Sequence, residues 1–495
     1  MFADKSTPPL RWSSTTPSQR FSPALGQVMP GAAVAVVVLE SASGFLPSAP
    51  LVSVLTPLRL IILLGLLGLV FDGAGISAFH TRMDVFIGVV VLSALLATAV
   101  GGGTSAPLRG LLTQVTVYYL VVGLRRRHPE SWHALSVLAL ASVSMAGAVA
   151  LSQATNGTPT GFCRSGLLGD ADCGPDALVR SIGTFANPNT LAAFLVMLTP
   201  IAALAATLLS ERTARLSVLI LAGVGYGAVL TTFSRAGYIA AAAGILVLAA
   251  ARRLMPRFSR SGIRLATAAG VGGLACVGLV IAISSRAGTA LGVRGQAWEA
   301  AIEVAGTHPL GVGLQRAGAV IDARAPGDVE FSHVHNLWLN WLVEAGVLGM
   351  LGITAVTVVG VVSAARLARD GSATGAACLS GLTAFMLMSL LDHPANLERI
   401  AMMFWLLLAL TMAETPARWR PPAAAAPPST PRRPAYHPRP PGRLAPGRPR
   451  KHPRSGSGPA QHPVPRKPPL ARFSDFPEDG RTPSPGAELM AFMRP

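Results

Sequence analysis

The chain has 495 residues, of which 51% are hydrophobic and only 13% charged, and it carries a formal net charge of +18. A water-soluble domain of this length has no use for so much apolar surface, whereas a chain with many membrane-spanning segments does. The charge is uneven: from Pro416 onward fifteen Lys and Arg face four acids, so most of the positive excess lies in the final stretch.

Residues 1–29 are polar and contain Pro, Ser and Thr, with no short apolar region followed by a small-residue cleavage site. The first apolar helix is therefore expected to act as its own insertion signal. Runs of about seventeen or more apolar residues predict the spans that follow. They lie near 30–49, 51–71, 84–101, 107–123, 132–153, 185–208, 216–233, 236–251, 264–283, 337–362, 372–391 and 398–414, twelve in all. The first is diluted by Glu40, Ser and Gly.

Basic clusters fall between these spans at Arg125–Arg127, at Arg212 with Arg215, at Arg252, Arg253, Arg257 and Arg260, and at Arg366 with Arg369. With twelve spans every cluster lands on one side together with both termini. The excess of Lys and Arg in cytoplasmic loops makes that side the cytoplasm. The expected organisation is a polar cytoplasmic segment 1–29, a transmembrane domain 30–415 and a disordered, Pro- and Arg-rich cytoplasmic tail 416–495. The tail's charge suits anionic lipid headgroups. No folded reading module accompanies it, so nucleic acid is not an expected partner.

The segments facing outward carry the chemistry. In 154–184, Cys163 and Cys173 share one loop on the oxidising side, where a disulfide is chemically permitted; two free surface thiols are the alternative. Cys276 and Cys378 fall within spans and read as small packing residues. In GTFANPNTLAAFL, from Gly183, Asn187 or Asn189 can cap a helix around Pro188, with a binding role for these amides secondary.

The turn TTFSRAG places Arg235 at an outer junction of two spans, against the positive-inside bias; interface anchoring is the simpler reading of that residue alone. In 284–336, VRGQAWEAAIEVAGTHPLGVG reads as an amphipathic helix, because Arg294, Trp298 and Ile302, and also Gln296, Ala300 and Val304, recur at helical spacing. Thr307, His308 and Pro309 close it, and such a helix can lie on the interface and cover a cavity. Arg294 could pair with a phosphate through two parallel hydrogen bonds, or it could snorkel to water or pair with Trp298.

FSHVHNLWLNWLVEAGVLGMLG, from Phe331, brings His333, His335 and Asn336 to the start of a span. A metal site would recruit both histidines with Asp328 or Glu330, but there is no i, i+4 histidine pair and no cysteine partner. A capping or interfacial histidine is a plainer reading. A neutral imidazole at this boundary would also suit proton abstraction from a sugar hydroxyl. Gly346 and Gly349, further on, would allow a neighbouring helix to approach closely. The turn Asp392-His393-Pro394-Ala395-Asn396 joins the last two spans.

In their order along residues 50–415, these motifs resemble the O-antigen ligase and polymerase superfamily of bacterial membrane glycosyltransferases. They are GTFANPNTLA, TTFSRAG, Arg294-x-x-x-Trp298 with HPLGVG, and His335-Asn336, nine residues, then Gly346-x-x-Gly349. The resemblance implies an all-α, polytopic GT-C type fold in the bacterial cytoplasmic membrane, working on its outer face. It implies transfer of a glycan from undecaprenyl diphosphate to a lipid or glycan acceptor, with inversion and with neither cofactor nor metal. By the same resemblance His335 is the catalytic base, Arg294 and Arg235 bind the diphosphate, and Asn336, His333, Trp298, Asn187 and Asn189 support them. Within the same chemistry stand a polysaccharide polymerase and a protein O-glycosylating enzyme. A bicarbonate-type transporter is the reading from another class. Against it, no charged residues sit deep in several spans and no paired halves with broken helices are detectable.

Overall fold

The computed structural model describes residues 22–51, 54–164, 173–174, 177–257, 293–325 and 331–415. The predicted span 264–283, Cys276, Asp328, Glu330 and the tail from Pro416 lie outside the described residues.

The architecture is helical. The helices are α1 (Ser22–Ser43), α2 (Pro57–Phe71), α3 (Asp84–Gly101), α4 (Ser105–Arg127), α5 (Trp132–Asn156), α6 (Pro188–Ala202) and α7 (Arg212–Thr231). They continue with α8 (Arg235–Arg253), α9 (Val293–Thr307), α10 (Ala317–Asp322), α11 (Leu337–Arg369), α12 (Ala373–Leu391) and α13 (Glu398–Glu414). A two-residue antiparallel pair, β1 (Cys163–Arg164) with β2 (Leu178–Val179), interrupts them before α6. Seven helices among the described residues are long and apolar enough to cross a membrane: α3, α5, α6 with its continuation to Leu208, α7, α8, α11 and α12. The chain is a multi-pass membrane protein of the all-α class.

Burial sorts the helices into an inner and an outer set. Every residue of α13 from Ile400 to Met412 is buried, and α6 and α12 are buried nearly all round. Phe385 stacks on Phe404 at 4.8 Å, and Tyr118 meets Trp405 edge-on at 5.9 Å, as aromatic quadrupoles prefer. The outer helices expose large apolar residues such as Leu219 and Ile220 on α7 and Ile239 and Leu246 on α8. Lipid is the solvent that suits such faces, since their backbone groups are satisfied within the helix.

The end of α4 with its three arginines meets the ends of α2 and α13 and the start of α12 at one end of the bundle. There Arg125 pairs with Glu414 at 3.0 Å, Ser372 Oγ donates to Glu414 at 2.7 Å, and Arg127 and His128 both meet Asp72 at 3.0 Å. The described residues of 157–164, 177–187, 232–234, 308–325, 331–336 and 392–397 lie at the other end.

Several boundaries differ from expectation. α1 starts at Ser22, inside the segment read as polar, and ends at Ser43. Glu40, which diluted that span, sits in its last turn, where its carboxylate accepts the Leu46 N–H at 2.9 Å. The 51–71 span begins as a helix only at Pro57, where Thr56 caps it and proline occupies the first turn. On α9 the buried stripe runs through Ala297, Trp298, Ala301 and Val304, whereas Ile302 is exposed. This stripe packs against α10 and α11 in a small core with Val312, Ile321, Phe331 and Val343, so α9 is fastened to the bundle.

The largest difference lies in α11. The sequence suggested no broken helix, yet Gly346 has φ 69° and ψ −170°, a region essentially reserved for glycine, and splits α11 in two. The HPLGVG segment occupies the break. Val312 N–H donates to Val343 O at 2.9 Å, Gly313 N–H to Glu344 O at 3.0 Å, and Val347 N–H to Pro309 O at 3.2 Å. A Cβ on Gly346 would stand 2.3 Å from Pro309 O, and one on Gly311 (φ 88°) 2.4 Å from Glu344 O. Gly346 thus admits a loop into a helix instead of a second helix against it. Gly349 does serve close approach, since its Cβ would stand 3.2 Å from Ser93 Oγ on α3.

Gly346→Ala is therefore expected to cost at least about 1–3 kcal/mol through backbone strain alone. Gly223→Ala on α7, where a Cβ meets nothing within 4 Å, should be neutral or stabilising by up to about 1 kcal/mol. Thermal unfolding of the two variants in detergent checks this, and equal midpoints would contradict it.

Candidate active site

Three helix ends meet around one carboxylate. Asn336 caps α11: its side-chain oxygen accepts the Leu339 N–H at 3.0 Å, and its Nδ2 donates to Leu390 O at 3.0 Å, which fastens the cap to the end of α12. Asn187 caps α6 by accepting the Asn189 N–H at 2.8 Å, with Pro188 as the first helical residue. Between them lies Asp392, at the end of α12 and only 7% exposed. Its Oδ1 contacts His333 Nε2 at 2.9 Å and His335 Nδ1 at 3.3 Å, and accepts the His393 N–H at 2.8 Å. Its Oδ2 accepts from Asn189 Nδ2 at 2.9 Å.

Burial would push the Asp392 carboxyl up, but the hydrogen bonds from His333 and His335 outweigh burial and hold it well below the usual carboxylate range. Burial, reinforced by the His333 charge, pushes the neighbouring His393 imidazole down to about 3. His335 adopts φ 55°, a left-handed conformation that costs a residue with a Cβ about 1–2 kcal/mol. Such strain clusters at functional sites, which makes His335 a candidate for one. Its Nδ1 is the ring nitrogen that meets Asp392.

Asp392 also borders a cavity of about 310 Å³. Four arginines line it: Arg164, Arg180, Arg235 and Arg294, with Asn189 beside them. Arg235 is the first residue of α8, behind the Ser234 cap that accepts the Gly237 N–H at 3.2 Å, so a helix N-terminus adds its positive pole. Arg294 reaches the cavity from the first turn of α9. Arg164 and Arg180 arrive from the β1–β2 pair, which the Cys163–Cys173 disulfide closes. They are held by carbonyls of the 232–233 turn: Arg164 Nη1 donates to Phe233 O at 2.8 Å and Arg180 Nε to Thr232 O at 3.0 Å.

Of the residues singled out in the sequence, Asn189, Arg235 and Arg294 line this cavity, whereas His333 and His335 reach its edge only through Asp392 and do not line it. Asn336 and Asn187 act as caps behind it. Trp298 is a core residue, 3% exposed, and takes no part in the cavity lining. Asp392, His393, Arg164 and Arg180 were missed. Asp392 and His393 stood in an outer turn already recognised, and the need of a basic histidine for an orienting carboxylate is the signal that could have promoted them. His333, His335 and Asp392 also present ligand atoms within 4.8 Å of one another, a spacing that a metal ion could use. The Asp328 or Glu330 combination considered in the sequence lies outside the described residues.

A multi-pass membrane bundle with a one-ended site of arginines and carboxylate-held histidines defines a class of membrane enzyme. Residues 216–354, less than half of the chain, match the O-antigen ligase family, which supports the resemblance to the O-antigen ligase and polymerase superfamily. The matched segment runs from α7 past the α11 break and contains Arg235, Arg294, His333 and His335. No curated protein matches the chain.

His393 gives this site a pH signature. Its folded value near 3 lies below the ordinary 6.5, so the stability it confers is fully present above pH ~6.5 and is lost as pH falls toward 3. His393→Gln should flatten the decline of the unfolding midpoint between pH ~6.5 and 4. Identical slopes for wild type and variant would exclude a buried neutral imidazole.

Proposed function

We propose that the chain transfers a glycan from undecaprenyl diphosphate to a hydroxyl of a lipid or glycan acceptor, by a single inverting displacement at the outer face of the cytoplasmic membrane. The observation that carries this reading is the juxtaposition of a four-arginine cavity with a carboxylate-held histidine pair. Departure of a lipid diphosphate concentrates negative charge on the leaving oxygen, and preorganised guanidiniums stabilise it where it develops. Arg235 and Arg294 take this role, with Arg164 and Arg180 adding charge from the hairpin.

The attacking hydroxyl must lose a proton as its oxygen bonds to the anomeric carbon. His335 accepts that proton on Nε2 while Asp392 keeps Nδ1 protonated and stabilises the imidazolium. The bond from the anomeric carbon to the diphosphate oxygen breaks, and the lipid diphosphate leaves with the electron pair on that oxygen. His333 shares the same carboxylate oxygen and positions it. The arginines and the helix N-terminus make the site complete without a divalent ion on the diphosphate.

Two further readings have observations behind them. A polymerase joining repeat units uses the same groups, and the family match covers both kinds of enzyme. A metal at His333, His335 and Asp392 is favoured by their convergence. It would have to displace both histidine contacts that Asp392 now makes.

Deleting the gene in its host and complementing with variants tests the proposal. His335→Ala should lower transfer by about 10²–10⁴-fold, the usual worth of a general base; retained activity sinks that role. Polymer accumulating on the lipid carrier in the deletion strain supports a ligase, whereas single repeats reaching the acceptor support a polymerase. Exhaustive chelation should leave transfer intact, and its loss would transfer the argument to the metal reading. Arg164→Ala should weaken donor use, and Cys163→Ser should reproduce much of that defect by releasing the hairpin. Normal donor KM in both would remove the hairpin from the donor site.

A further inference from the structure

A second cavity, of about 300 Å³, opens at the same end of the bundle among the first turns of α2 and α4, the start of α11 and the 392–397 turn. Asp392 lines the arginine cavity and the next residue, His393, lines this one, so a single turn forms the wall between them. The two cavities differ in charge. Here Glu344 and Glu398 stand against one guanidinium, Arg59, which is already engaged by Thr113 Oγ1 at 3.1 Å and Val54 O at 2.8 Å. Four guanidiniums draw a diphosphate to the first cavity, whereas the second offers one.

The remaining lining suits a polyhydroxylated ring. Carboxylates and the carboxamides of Gln114 and Gln315 can accept from and donate to hydroxyls, while Trp341 and Trp405 offer apolar walls to the C–H face of a ring. His393, only 6% exposed, borders the cavity, and its Nδ1 has no hydrogen-bond partner among the described residues. A buried polar atom in that state is costly until a ligand hydroxyl meets it.

We infer that this second cavity is the acceptor subsite and takes the hydroxyl-bearing terminal sugar of the acceptor glycan, a neutral or amino sugar and not an acidic one. The inference rests on the transferase reading above. Donor diphosphate and acceptor sugar then enter from opposite sides of the 392–397 turn, at whose edge the His333–Asp392–His335 group stands.

The test uses full-length protein in detergent, with undecaprenyl diphosphate, glucose, N-acetylglucosamine, glucosamine and glucuronic acid as probes of thermal unfolding. The variants are Gln114→Trp, which fills the cavity, and Glu398→Gln, which is isosteric and keeps the fold if the bulkier change does not. At least one neutral or amino sugar should raise the wild-type midpoint while glucuronic acid does not. Both variants should lose at least half of that rise and keep the response to undecaprenyl diphosphate. An equal response to glucuronic acid, no response to any sugar, or a response surviving in both variants overturns the subsite. Wild type that ignores undecaprenyl diphosphate but responds to sugar strikes the transferase reading, and the acceptor role with it, leaving a sugar site.

In cells, Gln114→Trp complementing the deletion identifies where the sugar comes from. Carrier-linked polymer accumulating shows that the sugar belongs to a separate membrane acceptor. Carrier-linked single repeats accumulating show that it belongs to the next repeat unit. Normal surface glycan from both variants overturns the inference.

Discussion

The site depends on one carboxylate. Asp392 receives hydrogen bonds from two histidines ahead of α11, from Asn189 on α6 and from the backbone of the residue that follows it. Each bond costs little to make at a helix end already exposed to polar groups, but together they join α6, α11 and α12 at one point. A buried carboxylate is tolerated only with such a set of donors, because an unpaired one costs several kcal/mol. The same bonds that stabilise the fold therefore also fix the orientation of His335. Structure and proposed chemistry cannot be separated at this residue.

The break in α11 is the second constraint. A continuous helix would have no open N–H or C=O for the HPLGVG loop, and the loop would have to satisfy its backbone elsewhere. Gly346 releases the helix for one residue, and the loop supplies the missing partners at Val343, Glu344 and Val347. This arrangement ties α9 to the first segment of α11, whose N-terminus carries Asn336 and, just before it, His335. Arg294 on α9 and His335 at α11 are thus set relative to each other through one short loop. Two motifs far apart in sequence, HPLGVG and Gly-x-x-Gly, are the two halves of a single contact.

Much of this was legible in the sequence because lipid imposes a simple rule. Apolar runs long enough to satisfy their own backbone must be helices, and helices occupy every predicted span that falls among the described residues. Helix starts were less legible: α1 begins early and α2 late, since a span is read from hydropathy while a helix start is decided by caps such as Thr56 and Asn187. His335, Arg235 and Arg294, on which the proposal rests, could be singled out because their motifs are local. Asp392, Arg164 and Arg180 were not, because their importance is created by contacts across 57 and 69 residues of chain and more. Trp298 was misread for the converse reason: a tryptophan one turn from an arginine looks like a partner for it, but packing against α10 and α11 gave it a better place.

The distribution of charge across the 392–397 turn extends the same argument. A transferase must bring an anion and a hydroxyl to one atom without letting either occupy the other's place. On one side of the turn four guanidiniums and a helix N-terminus suit a diphosphate; on the other, a single guanidinium stands with Glu344 and Glu398, which offer hydrogen-bond partners to hydroxyls. Because field strength falls with distance only slowly in a low-dielectric bundle, this sorting acts before contact. Asp392 sits on the boundary, with its oxygens already engaged by the histidines, Asn189 and the His393 N–H. On the proposed reading, discrimination between the two substrates is a property of the wall, and His335 is held beside it by Asp392.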